Sequence, residues 1–421
     1  MKISFLLTCI FLILLDCSIA NENAEFFNLI DRIKAHPSIE NLAFLADEKA
    51  NLSVSEKSLP DPMLKFGIQN YPSNGQGGFD RYAMTQKTIG ITQKIPNIKI
   101  RESSAREAII DSEKISLQKE LKTQQLISIF VVTVAEIKRI KEQQQLLEEK
   151  KEILNQTFLF WQSRVAAAEK GLDGLIYIEA LLAELDTKLL NLNYEETKFT
   201  EQIRQLIGEV KVPTLPTIKP FLWPNDNKII PLMIAEKDID IASTKLDKAK
   251  ASYGSDYEIG VKYGQRDSSS NYDGGDMVSI ELGMTLPIWS STNQDSKVLS
   301  AGGGLSAAIA QFEDLKRQWH QELATRYAKI NEINAKIRVL EKKSIVISNQ
   351  VDSLYNEYEL TGRMDLVLDA KIDFIDIMAE ISVLKSLAIK ESIEFNSWFK
   401  DFDIQKNLLS YSYSHYTKDL A

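Results

Sequence analysis

Apolar residues recur along this chain with two periods, and the helical one dominates. Positions 126, 130, 133, 137, 140, 144, 147, 151, 154, 158, 161 and 165 keep a strict 4-3 spacing, and nine of these twelve are apolar, from Leu126 and Phe130 to Trp161 and Val165. That is a coiled-coil seam sustained over several heptads. "KRIKEQQQ" and "EEKKE", lying between its members, supply the solvated faces. At 1.5 Å per residue, a helix of roughly 70 residues is a rod on the order of 100 Å long.

Helix breakers delimit the rest. No Gly or Pro falls within Asn97–Lys170, Leu175–Ile207, Leu305–Thr361 or the run from Arg363 to the C-terminus, and all eighteen glycines and eleven prolines lie outside these runs. The runs predict four long helices. They form two pairs, each split by a very short break: Gly171-Leu172-Asp173-Gly174 in one and the lone Gly362 in the other. Such breaks predict tight αα-hairpins, with Gly ending the first helix in a left-handed conformation. The alternative is a continuous helix that tolerates a glycine.

The second period is two. In "MLKFGIQN", Leu64, Phe66 and Ile68 share one face; in "KTIGITQKI", Ile89 and Ile91 do so against Thr88, Gly90 and Thr92. In "YEIGVKYG", Tyr257, Ile259, Val261 and Tyr263 oppose Glu258, Gly260, Lys262 and Gly264. In "SIELGMTLPIW", Ile280, Leu282 and Met284 oppose Glu281, Gly283 and Thr285. Each stretch predicts a strand with one apolar and one polar face. With flanks, each is about the ten residues that a tilted strand needs to cross a bilayer. Four strands cannot close a barrel alone, and an open edge cannot face lipid, so closure requires further copies of the chain. On this reading Leu64, Phe66, Ile68, Ile89, Ile91, Ile259, Val261, Ile280, Leu282 and Met284 face lipid, and Leu286-Pro287 marks the exit from the membrane. A soluble sheet with one core face fits the alternation equally well.

The elements repeat. Phe66-Gly67-Ile68 answers Ile259-Gly260-Val261, and Gly90-Ile91-Thr92 answers Gly283-Met284-Thr285, both at an offset of 193; Gly171 answers Gly362 at 191. An internal duplication of helix, strand, strand, long helix, turn, long helix follows. The first repeat spans 21–212 (strands about 63–70 and 83–95, hairpin turning at 171–174). The Pro-containing linker is 213–231. The second repeat spans 232–402 (strands about 256–264 and 277–287, hairpin turning near 362), and 403–421 is a tail.

Composition narrows the function. Among 421 residues the formal net charge is −9, with no dense basic cluster, which argues against a nucleic-acid partner. Residues 1–20 combine Lys2, the apolar "ISFLLTCIFLILL" and the small-residue ending "SIA", the pattern of a secretory signal. An uncleaved anchor and lipidation at Cys17 are the alternatives. Both cysteines, Cys9 and Cys17, lie in this segment, so a chain starting at Asn21 has neither disulfide nor thiolate metal site. His36, His320 and His415 are far apart, and none sits at ligand spacing. "GGG" at 302–304 lacks the Lys-Ser/Thr of a phosphate loop; by the repeat it marks the return from strand to helix. Neither an enzyme nor a cofactor is expected.

With these elements in order, the chain resembles the TolC-type outer-membrane efflux family. "HPSIENLAFLADEKANLSVSEKSLPDPMLKFGIQN" at 36–70, with Pro60-Asp61-Pro62 before the first strand, carries the likeness, as does "YNEYELTGRMDLVLDA" at 355–370. "MTQKTIGITQKIP" at 84–96 resembles the CzcC and CusC-like branch that serves heavy-metal efflux. The resemblance implies a homotrimer whose twelve strands form a barrel in outer-membrane lipid, continued by a helical tunnel in the periplasm of a Gram-negative bacterium. A periplasmic adaptor and an inner-membrane transporter would dock at the tunnel tip and push substrate, metal cations first, through a passive duct. A drug or polypeptide duct of the same fold, or a secreted coiled-coil adhesin or scaffold, are the alternatives. Val367-Leu368-Asp369-Ala370 matches the segment that carries acidic gate residues in the family. Asp369 is therefore expected to ring the entrance, with Asp365 (or the position held by Leu366) and Asp173 beside it. Ordinary acids near helix N-termini would look the same. Gly171, Gly174 and Gly362 are assigned to the hairpin turns, with adaptor contact nearby.

Overall fold

The computed structural model describes residues 25–73, 78–167, 172–215, 228–268, 273–361, 364–400 and 402. In chain order they form α1 (25–34), α2 (Pro37–Lys57), β1 (Met63–Gln69), β2 (Gln86–Ile95), α3 (Ile98–Ala166), α4 (Leu172–Ile207), α5 (Ile230–Ala251), β3 (Tyr257–Gln265), β4 (Met277–Met284), α6 (Gln294–Thr361) and α7 (Met364–Asn396). The chain is mainly helical with one four-stranded antiparallel sheet, as the two periods require. It divides into two units: Met1–Glu40, Lys119–Ile230 and Arg317–Ala421 in one, Asn41–Gln118 and Pro231–Lys316 in the other.

The first unit is a helical bundle built on the seam of α3. Every one of its twelve seam positions is buried or half-buried. The three polar members are each satisfied. Thr133 donates to the Ile129 carbonyl at 2.7 Å, Gln144 to Asn193 at 2.8 Å and Glu196 at 3.1 Å, and Lys151 to Asp186 at 2.7 Å, which raises the Lys151 pKa. Together with Arg139 bonded to Glu195 at 2.9 Å, these partners descend along α4 as α3 ascends, so the two helices form an antiparallel hairpin. Burial works against the Arg139 charge, but the Glu136 and Glu195 carboxylates overcome it and raise its pKa above the ordinary guanidinium value. The second hairpin follows the same plan: Arg326 and Lys329 of α6 bond Glu394 and Glu391 of α7, each at 2.6 Å. Its α7 also crosses back to α3, where Lys150 meets Asp376 and Ser386 donates to Glu136, both at 2.7 Å. Phe26, Phe130, Ile203, Leu323, Ile393 and Phe399 fill one core shared by α1, α3, α4, α6 and the end of α7. Gly208 closes α4 at φ 80°, its N–H donating to Arg204 O at 2.8 Å, the left-handed cap that lacks a Cβ penalty.

The second unit carries the sheet, in the order β1-β2-β3-β4. The two repeats meet at its centre, where Lys87 to Ile95 of β2 pair with Gln265 to Tyr257 of β3. Asn97 fastens the exit of β2 to the start of α3: its side chain accepts from Lys99 N–H at 2.9 Å as the helix N-cap, and donates to Ala251 O at 2.8 Å. Ion pairs Lys237–Glu113 (2.6 Å) and Lys114–Asp238 (2.5 Å) hold α5 against α3.

Several boundaries depart from the breaker pattern. Helix α6 begins at Gln294, so Gly302, Gly303 and Gly304 lie inside it rather than marking a return loop. Glycine costs a helix only about 1 kcal/mol per residue relative to Ala, a penalty that a 68-residue helix can carry at three positions. Helix α4 begins at Leu172, which places Asp173 and Gly174 in its first turn rather than in the connection. Pro231 likewise opens α5 instead of ending the linker, a position where its missing N–H costs nothing. Strand β4 stops at Met284, just short of Leu286-Pro287.

Candidate functional site

Opposed residues of an antiparallel pair share a face, so the register sorts the sheet completely. Leu64 and Phe66 oppose Ile91 and Ile89; Ile89 and Ile91 oppose Tyr263 and Val261; Tyr257, Ile259 and Val261 oppose Met284, Leu282 and Ile280. With Ile68 by alternation, all ten of the strand residues singled out as apolar in the sequence fall on a single face. Tyr257, Tyr263 and Val278 extend it, and Lys87 and Gln93 of β2 interrupt it, standing opposite Ile68 and Ile259. No described residue covers this face: Phe66 is 73% exposed, Ile280 71% and Leu282 79%. A contiguous apolar surface of this kind marks an interaction with lipid or another chain. The opposite face carries Lys65, Thr88, Gly90, Thr92, Lys94, Glu258, Gly260, Lys262, Glu281 and Gly283. Strands β1 and β4 each have a partner on one side only, so the sheet has two open edges among the described residues.

The hairpin ends hold the other expected residues. Asp173 is exposed in the first turn of α4, next to Gly174. A Cβ on Gly174 would stand 3.2 Å from Cδ2 of Trp161 on α3, so glycine here serves close helix approach rather than turn geometry. In α7, Val367, Leu368 and Ala370 are buried and Asp369 between them is exposed. Leu368 packs with Ile153 of α3 and Ile375, which fixes this turn of α7 on the bundle. Asp173 and Asp369 thus occupy the early turns of the second helix in their respective hairpins. Gly171 and Gly362 lie outside the described residues, and of Asp365 only the backbone within α7 is described. Among the described residues, no group of three or more His, Cys, Asp or Glu side chains is placed to hold a metal ion, and no helix is long and apolar enough to cross a membrane.

This arrangement of hairpins and sheet is one that solved outer-membrane channels share. No protein-family model matches the chain and no curated protein matches its sequence. Among solved structures, CusC, whose crystal structures concern folding and transmembrane channel formation, superposes with a TM-score of 0.72 at 12% identity, over 89% of this chain and 91% of that one. The Neisseria gonorrhoeae MtrE outer membrane channel in its open state gives 0.70 at 14% identity, over 91% and 88%. The outer membrane protein VceC of Vibrio cholerae gives 0.66 at 14% identity, over 88% and 96%. The chain therefore has the fold of TolC-like channels along nearly its whole length, a likeness of architecture at an identity too low to carry roles from one protein to another.

Proposed function

We propose that this protein is the outer-membrane exit duct of a tripartite efflux pump. Three copies close a twelve-stranded barrel in the outer membrane, and their helical hairpins form a tunnel in the periplasm. The observation that carries this reading is the sheet: an apolar face wholly exposed, a polar face opposite, and two open edges that only another copy can satisfy in lipid. The fold shared with outer-membrane channels supports it. A periplasmic adaptor and an inner-membrane transporter engage the hairpin ends, and the protein conducts passively without chemistry of its own. Heavy-metal cations stand first as cargo, on the resemblance of 84–96 to the metal-efflux branch. Asp369, with Asp173 and Asp365, forms a carboxylate ring at the entrance that favours cations by its field.

Membrane fractionation and sizing test the duct directly. A detergent-extracted trimer from the outer-membrane fraction is the expected result, and a soluble monomer or a long parallel dimer overturns it. For the cargo, a strain lacking the protein becomes sensitive to heavy-metal salts; sensitivity to drugs alone reassigns the cargo. For the ring, Asp369→Asn lowers cation preference in planar bilayers, and an unchanged preference removes Asp369 from the entrance.

A further inference from the structure

The polar face of the sheet is not uniformly polar. Its charged side chains, Lys65, Lys94, Glu258, Lys262 and Glu281, all lie at the middle of the strands or toward their helix-connected ends. The half nearer the strand-connecting loops presents Gly67, Gln69, Gln86, Thr88 and Gly264 instead. Glycine is interleaved with the charges in register. Gly90 separates Lys65 from Lys262, Gly260 opposes Glu281, and Gly283 opposes Glu258. A Cβ on Gly90 would stand 3.2 Å from Lys262 Cβ, and one on Gly283 would stand 3.5 Å from Glu258 Cβ. The bare backbone leaves room for long side chains to lie along the wall and meet across strands.

Four of the five charges do meet. Lys262 donates to Glu281 at 2.9 Å, and Lys65 pairs with Glu258 at 3.9 Å. Each pair cancels its own charge. Lys94 stands opposite Glu258 in register and is exposed, yet forms no ion pair or side-chain hydrogen bond among the described residues. At the helix-connected strand ends the nearest acids in sequence are Asp61 and Asp256, and Asp256 already accepts the Asn97 N–H at 2.7 Å; at the loop-connected ends Asp276 accepts from the Tyr263 hydroxyl and Asp267 pairs with Lys87 at 3.3 Å. Within the strands, the polar face therefore carries one uncompensated positive charge.

We infer that Lys94 is the residue that sets the sign of the field inside the barrel, giving this part of the conduit a preference for anions. The inference rests on the exit-duct reading above, with the polar face as the lumen. In a closed barrel Lys94 repeats once per copy around the wall, and a ring of like charges in a confined pore selects ions by its field. Cation selection by the duct, where it occurs, then belongs to the hairpin ends rather than to the barrel.

Planar-bilayer recordings of the purified trimer under a potassium chloride gradient test this. Lys94→Gln should lower the anion-to-cation permeability ratio by roughly two-fold, and Lys94→Glu should lower it further. Lys94→Arg should keep the wild-type ratio, and so should the double variant Lys262→Gln with Glu281→Gln, which removes a self-neutralised pair. A ratio that Lys94→Glu leaves unchanged overturns the inference. So does a shift with Lys94→Arg as large as that with Lys94→Gln, since the effect would then follow shape and not charge. A trimer that inserts and conducts with an unresponsive ratio refutes only the role of Lys94. A protein that never conducts refutes the duct itself, and this inference with it.

Discussion

Phe130 of α3 and Phe66 of β1 both sit on predominantly apolar faces of regular elements, yet one is fully buried and the other 73% exposed. The bundle follows the rule for water: apolar seam inward, and polar seam members such as Gln144 and Lys151 tied to the neighbouring helix. The sheet inverts the rule, with leucine, isoleucine and phenylalanine outward and lysine and glutamate paired on the other side. A chain whose two regions obey opposite rules is complete in water over one region only. The other needs a partner for its apolar side, lipid or another chain; under the proposed function a bilayer supplies it.

The comparison breaks most sharply at its two extremes. Phe130→Ala removes the centre of the shared core, where Phe26 packs at 5.7 Å between ring centroids, and should cost about 3–5 kcal/mol. The loss should appear in denaturant unfolding of detergent-extracted protein whether or not lipid is added back. Leu282→Lys should cost about 2–4 kcal/mol only once the sheet is in a bilayer. Its readout is assembly: the variant should fold its helices normally by circular dichroism and fail to insert into vesicles. Normal insertion of Leu282→Lys would show that this face meets something other than lipid.

A third substitution sharpens the same contrast for charges. Glu391 is 6% exposed and takes bonds from Lys329 at 2.6 Å and Arg326 at 3.4 Å, while Arg326 also lies 4.7 Å over the Trp398 ring. Glu391→Gln keeps the shape but strips the charge from a buried partner. Because Lys329 is half exposed, the cost should be about 1–3 kcal/mol rather than that of a fully buried pair. Urea unfolding measures it, and raised salt should not rescue the variant. Lys94, exposed and unpaired, should by contrast tolerate Gln with no change in stability, since nothing bonded is lost.

Much of this was legible in the chain because it depends on local period. The 4-3 spacing marks all twelve buried or half-buried seam positions, and the alternation marks the strand faces before any register is known. What period cannot carry is contact between segments distant in sequence. Lys150 with Asp376 and Ser386 with Glu136 join α3 to α7 across more than two hundred residues, and no spacing rule pairs them. Lys94 was illegible for the same reason: only the register shows that Glu258, its opposite, is already engaged by Lys65. Gly174 was misplaced because a glycine near a break looks like turn chemistry. Its actual constraint is the Trp161 ring of the facing helix.

The glycines inside α6 offer the smallest effect and a direct probe of how many copies the fold needs. A Cβ built on Gly302, Gly303 or Gly304 meets nothing within 4 Å in the single chain. Helix propensity alone then favours alanine, by about 0.5–1 kcal/mol for each replacement. Gly303→Ala should therefore raise the stability of the isolated chain in denaturant. If copies of the chain close around one another along this stretch of α6, the added methyl must share space with a neighbour, and the gain should vanish or reverse in the trimer. Thermal unfolding of monomer and trimer preparations, measured side by side, separates the two. A stabilisation equal in both would place this helix face away from any neighbour and shift the burden of assembly onto the open edges of β1 and β4.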